Sequence, residues 1–170
     1  MNESEKELDL VDEAYKKLDH VEIRLFAKSI GKTYEEVPKA IIPFFKVIPS
    51  NISGYDYDNF FAALCIKCLF EEQIGDVVST EEFIRDARES KNLGSIDSFD
   101  RRISALMSNT EAKFFILKLG KLISYAKNFT NLIPNCNKLY EDLKNLNNPR
   151  KTVQIKWAKT IYTSKKIIEE

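Results

Sequence analysis

Cys65-Ile66-Lys67-Cys68 has the spacing of a thiol redox pair or of half a zinc site. Redox chemistry wants that motif at an exposed helix N-terminus, where the helix dipole lowers a thiol pKa. Here it sits inside the most apolar stretch of the chain, Phe60 to Phe70, with no βαβ pattern around it. Zinc requires four ligands, and neither Cys136 nor His20 has a paired spacing that would complete the set. The cysteines therefore read as buried small hydrophobes. His20, the single histidine, lies between Asp19 and Val21 with Lys16, Lys17 and Arg24 nearby. No nucleophile motif such as G-x-S-x-G accompanies it, so it reads as a surface or flanking side chain and not as a general base. Gly31-Lys32-Thr33 looks like the end of a phosphate loop, but Phe26 occupies the place where that loop requires its first glycine. It reads as a helix stop.

The paired acids Glu35-Glu36, Glu71-Glu72, Glu81-Glu82 and Glu141-Asp142 are sequence neighbours. On a helix such neighbours diverge by about 100° and do not converge on one reacting group. They read as solvated faces and first-turn dipole partners. A metal-dependent nuclease built from them is the weakest reading of the chain.

The basic residues carry a stronger signal. The formal charge sums to +0, yet residues 1–100 hold 12 Lys+Arg against 21 Asp+Glu, and residues 101–170 hold 14 against 5. The halves thus carry −9 and +9, which points to an anionic partner for the second half. On the last helix Val153, Trp157 and Ile161 form one stripe, while Lys156, Lys159 and Lys166 form another beside Thr152 and Thr163. Ammonium groups and hydroxyls on one stripe suit a phosphate backbone. On the helix after Thr110, Phe115, Leu119, Leu122, Ile123 and Ala126 make a core face. Lys118 and Lys121 share a flank with Phe114 and Tyr125, where a base could stack while lysine meets phosphate, or where the rings could pack on a second helix. Arg101 and Arg102 sit in a first helical turn, where Asp97 or Asp100 could neutralise them.

These residues must be positioned by helices. Apolar residues recur at three and four from Leu8 to Phe26, predicting one amphipathic helix that stops near Gly31. Tyr34 to Ile48 is a shorter segment interrupted by Pro38 and Pro43, followed by a turn cluster at Pro49, Asn51, Ser53 and Gly54. Asp58 is expected to cap a helix through Glu72 that is apolar all round and therefore central. Thr80, Ser98 and Thr110 are the expected caps of the next three helices, the last of them running to Phe129. Pro134-Asn135 introduces a helix bearing Leu139, Tyr140 and Leu143, and a final helix is expected from about Lys151 to Ile168. No strand pattern and no internal repeat is evident.

The fold expected is all-α, a compact helical bundle of about seven to nine helices, with an acidic half at 1–95 and a basic half at 96–170 in one body. With 5 Gly, 5 Pro and 44% hydrophobic residues, the composition excludes disordered, collagen-like and low-complexity classes. No apolar run is long enough to span a membrane. The opening residues, Met1-Asn2-Glu3-Ser4-Glu5, form no secretory leader, and the odd number of cysteines fits no disulfide framework, so a reducing, cytoplasmic setting is expected.

From its middle onward the chain resembles the CasB family, the small subunit of the type I-E CRISPR Cascade surveillance complex. Ser98-Phe99-Asp100-Arg101-Arg102-Ile103-Ser104-Ala105-Leu106 looks like that family's S-x-E/D-R-R-x-x-x-L helix start. A leucine-rich helix follows with Leu117, Leu119 and Leu122, then an Ile133-Pro134 turn into Leu139-Tyr140-x-x-Leu143. Val153-x-x-x-Trp157-Ala158-x-x-Ile161-Tyr162 is similar to the family's closing V-x-x-x-W-A-x-x-F-Y. Ile42-Pro43-Phe44-Phe45 and the apolar 60–70 helix stand in the order of the family's first half. The chain departs from the pattern in being lysine-rich with an acidic front half. Acids also intersperse the segment Glu82 to Arg88, so Arg85 and Arg88 are not assigned to DNA.

The resemblance implies a non-catalytic, all-helical subunit without cofactor or metal, present in two copies that contact the complex's backbone and large subunits. It implies binding to the displaced DNA strand, to single-stranded and duplex DNA, and to the guide RNA–target heteroduplex, so that the R-loop is stabilised while base pairing reads sequence. The basic role then falls on Arg101 and Arg102, and Trp157 becomes a core residue. The helical faces add Lys118, Lys121, Lys151, Lys156 and Lys159 as candidate backbone contacts. The main alternative is a helical adaptor that binds only protein.

Overall fold

The apolar all-round segment becomes the helix around which the rest is built. In the computed structural model, which describes residues 9–163, α4 spans Tyr57–Leu69 and buries Phe60, Phe61, Ala62, Ala63, Leu64, Cys65, Ile66 and Cys68. Before it come α1 (Leu10–Lys16), α2 (His20–Lys28) and α3 (Pro38–Val47); after it come α5 (Thr80–Arg88), α6 (Ile96–Met107), α7 (Ala112–Ala126), α8 (Cys136–Lys144) and α9 (Thr152–Tyr162). The fold is all-α, with nine α-helices among the described residues. None of the described helices is long and apolar enough to cross a membrane. Around α4, which is buried on nearly every side, the other helices turn apolar stripes inward, as expected for helices held by packing and not by propensity alone.

α4 is enclosed by α1, α2, α7 and α8. Phe26 of α2 meets Phe61 with ring centres 5.5 Å apart, and Phe60 meets Tyr140 of α8 edge-on at 5.2 Å. α9 lies on α5, and α6 lies on α7. Asn137 of α8 reaches back to α1, where its Oδ1 accepts from the Val11 and Asp12 backbone N–H groups at 2.9 and 3.2 Å. The two charge halves therefore share one continuous core, with Phe44, Phe61 and Phe83 buried alongside Phe99, Leu119 and Trp157.

Several element boundaries differ from those read in the sequence. The single helix expected over Leu8–Phe26 is broken at Lys17–Asp19. Asp19 accepts from the Glu22 N–H while Glu22 accepts from the Asp19 N–H, a reciprocal cap that starts α2 afresh. Pro38 opens α3, where a missing N–H costs nothing, and Pro43 is carried inside it. The capping residues are Ser79 and Ser95, not Thr80 and Ser98, and Asp58 lies in the first turn of α4 instead of capping it. Thr110 caps nothing: Glu111 precedes α7 without a side-chain cap, and the helix ends at Ala126 before a short 3-10 turn, Lys127–Phe129. α8 starts where expected, after Pro134-Asn135, and Asn135 caps it by accepting from the Asn137 and Lys138 N–H groups.

Two two-residue strands, β1 (Val77–Val78) and β2 (Ile133–Pro134), pair in parallel, Val77 opposite Ile133 and Val78 opposite Pro134. They correct the expectation of no strand at all; a two-residue pairing is too short to leave an alternating pattern.

Candidate nucleic-acid interface

α6 presents Phe99, Ile103 and Leu106 to the core, which leaves Arg101 and Arg102 exposed. α7 turns Phe115, Leu119, Leu122, Ile123 and Ala126 inward, the face read from the sequence, and buries Ile116 and Gly120 beside them. Where the two helices meet, Arg102, Ala105, Lys118, Lys121 and Leu122 line a cleft of about 100 Å³. Three cations thus converge on an apolar floor. Among the described residues, none of the three is ion-paired.

Arg102 is held in place by an aromatic support. Its guanidinium carbon lies 4.3 Å from the centre of the Tyr125 ring. Tyr125 in turn packs on Phe99 and Phe129, with ring centres 6.1 and 5.1 Å away. A guanidinium stacked this way keeps its charge and its outward donors while losing rotamer freedom before any ligand arrives. Asp100, the neighbouring carboxylate with the charge to neutralise either arginine, is engaged elsewhere: it pairs with Arg88 at 2.7 Å.

The other candidates do not join this cleft. Arg101 points from the outer face of α6. Lys151 occupies the position before α9 in a left-handed conformation, φ 54°. Lys156 is neutralised by Asp142 of α8, Nζ to Oδ1 at 2.7 Å, so the expected α9 stripe loses its first cation. Lys159 is exposed one turn further on, but the Thr163 hydroxyl beside it donates to the Lys159 carbonyl. Lys166 lies outside the described residues. Of the seven candidate backbone contacts, the structure brings Arg102, Lys118 and Lys121 together in the α6–α7 cleft.

Sequence reasoning missed two features. Asp142 accepts both Lys156 and the Trp157 indole N–H, the latter at 2.8 Å. Arg88, Asp100 and Tyr162 form a second cluster. Each cluster joins side chains from different helices, and no periodicity in a single helix signals such pairs.

The remaining motifs carry no assembled chemistry. Cys65, Cys68 and Cys136 are buried free thiols, and burial pushes all three up, Cys136 to about 12. His20 is a surface side chain, 89% exposed, with Nδ1 3.3 Å from Glu71 Oε1. Gly31 takes a positive φ of 82° in the turn after α2, as a helix stop would. Among the described residues, no three His, Cys, Asp or Glu side chains are grouped to hold a metal ion. A wider cleft of about 390 Å³ is lined by charges of both signs, including Arg24, Glu71, Glu72 and Lys127. No family model matches the chain, nor does any curated protein or solved structure.

Proposed function

We propose that this chain is a non-catalytic structural subunit that binds nucleic-acid backbone within an RNA-guided surveillance complex of the CRISPR Cascade kind. In that role it lies along the displaced strand and the guide–target heteroduplex in the cytoplasm, beside the backbone and large subunits and a second copy of itself. It lowers the free energy of the open R-loop and leaves sequence reading to base pairing. The observation that carries the reading is the Arg102–Lys118–Lys121 cleft: three cations gathered between two helices with no carboxylate paired to them among the described residues. Phosphate contact needs positive charge and fixed donors, not base-edge geometry.

The experiment is the salt dependence of oligonucleotide binding. Each phosphate neutralised on a single strand contributes about −0.7 to the log–log slope, so three contacts give roughly −2, and Arg101 and Lys159 would steepen it. A flat salt response overturns the reading.

A second reading, a helical adaptor binding only protein, is favoured by one observation. Ile42 and Phe45 on α3 are 68% and 44% exposed, in the acidic half of the chain. It predicts saturable binding to a basic protein partner and no retention of DNA.

A further inference from the structure

Phe114 stands one helical turn before Lys118 on the flank of α7 that borders the cleft, and its side chain is 49% exposed. Its flank neighbour Tyr125 is committed to the fold, covered by Arg102 and packed on Phe99 and Phe129. Phe114 meets no other aromatic ring among the described residues. Leu117, further along the same helix, is 36% exposed and adds apolar surface. An open ring one helical turn before a cluster of unpaired cations, on the same flank of the helix, is the pairing that a nucleotide with an accessible base requires.

We infer that the α6–α7 cleft takes a single strand in preference to a duplex, a phosphate lying among Arg102, Lys118 and Lys121 while a base stacks on Phe114. The inference rests on the proposed backbone-binding role and specifies its ligand. In a duplex every base face is already stacked on its neighbours, so Phe114 has nothing to meet. In a single strand the base is free to turn onto the ring. Nothing in this arrangement reads a base edge, so the preference is for strandedness and not for sequence.

The test uses the full chain and fluorescence anisotropy with labelled thymidylate, uridylate and duplex DNA probes of about 12 nucleotides, a length within the usual single-strand site range. Phe114→Leu keeps the apolar bulk and removes the π-face, while Phe114→Tyr keeps the ring. Base–aromatic stacking of ordinary strength corresponds to a loss of about five-fold or more in single-strand affinity for Phe114→Leu. Phe114→Tyr should stay within about two-fold of the parent, and duplex affinity should not change with either variant. The thymidylate and uridylate arms separate a DNA strand from an RNA strand as the source of the same chemistry, and Phe114 dependence in either arm supports the inference. If Phe114→Leu leaves single-strand affinity unchanged while Lys118→Glu weakens it, stacking is overturned and backbone binding stands. If no probe binds in a salt-dependent way, both fall.

Discussion

Arg88 holds Asp100 through two nitrogens, Nε to Oδ1 at 2.7 Å and Nη2 to Oδ2 at 3.1 Å, with the guanidinium carbon 4.7 Å from the Tyr162 ring centre. The Tyr162 hydroxyl donates to the same Oδ1 at 3.2 Å, so the ends of α5 and α9 are tied to the first half of α6. The Arg88 hydrogen bonds hold the Asp100 carboxyl below the usual aspartate range. A depressed carboxyl stabilises the fold above its unfolded pKa of about 3.9, and that contribution is lost as pH falls through the folded value. With both side chains partly exposed, Asp100→Asn should cost about 1 kcal/mol at neutral pH. Urea unfolding at a series of pH values should show the gap to the parent closing in acid; a gap independent of pH would mean the ion pair contributes nothing.

Asp142 serves two donors of unequal importance. Lys156 is half exposed, whereas the Trp157 ring is fully buried and its Nε1–H has Asp142 as its one acceptor among the described residues. Asp142→Ala leaves a buried indole N–H unpaired and should destabilise by about 1–3 kcal/mol. Lys156→Met should cost less than about 1 kcal/mol, in the range of exposed ion pairs. Both are read from urea unfolding followed through Trp157, the only tryptophan, and equal costs would refute the assignment.

How much of this was legible beforehand depends on whether the signal was local. The burial of α4, the inner faces of α6, α7 and α9, and the start of α8 after Pro134-Asn135 follow from spacing within single segments. The break between α1 and α2 did not, because Leu18 stays on the buried side and the apolar rhythm runs on through the interruption. Likewise Lys118 and Lys121 share a flank by helix geometry alone, but their meeting with Arg102 needs α6 and α7 to be adjacent. The pairing of Lys156 was not legible, because its partner Asp142 lies in another helix.

Gly120 should resist the substitution that helix propensity recommends. Replacing glycine by alanine inside a helix ordinarily gains about 1 kcal/mol. A Cβ here would stand 2.7 Å from both Cα and N of Gly31, backbone atoms that cannot rotate away. Crowding of that kind costs roughly 1–3 kcal/mol, so Gly120→Ala should lower Tm, and a raised Tm would show that the α7–Gly31 contact yields.

Glu81 is the reverse case to Asp100. It is 7% exposed at the start of α5, its Oε2 has no hydrogen-bond partner among the described residues, and burial raises its carboxyl above the usual glutamate range. Lys156 opposes that shift and Asp142 adds to it. A raised carboxyl binds its proton more tightly folded than unfolded, so stability falls as pH climbs from the unfolded pKa of about 4.3 through the folded value. Glu81→Gln removes the titration and should be more stable than the parent at pH 7, by on the order of 1 kcal/mol, with the advantage vanishing near pH 4. Parallel urea titrations at the two pH values test it; a variant less stable at pH 7 would show that the Lys156 attraction outweighs burial.

The lysines should rank by their surroundings and not by their number. Lys118 and Lys121 face the cleft unpaired among the described residues, while Lys156 already neutralises Asp142. Lys118→Gln with Lys121→Gln removes two phosphate contacts, which should flatten the single-strand salt slope by about 1.4 and weaken binding to all sequences alike. Lys156→Gln removes a charge that a carboxylate 2.7 Å away has largely cancelled, so its slope should stay close to the parent's. Glutamine keeps the bulk and avoids placing a new carboxylate beside Asp142. If Lys156→Gln flattens the slope as much as the double variant does, nucleic acid must displace the Asp142 pair on binding, and α9 would belong to the interface after all.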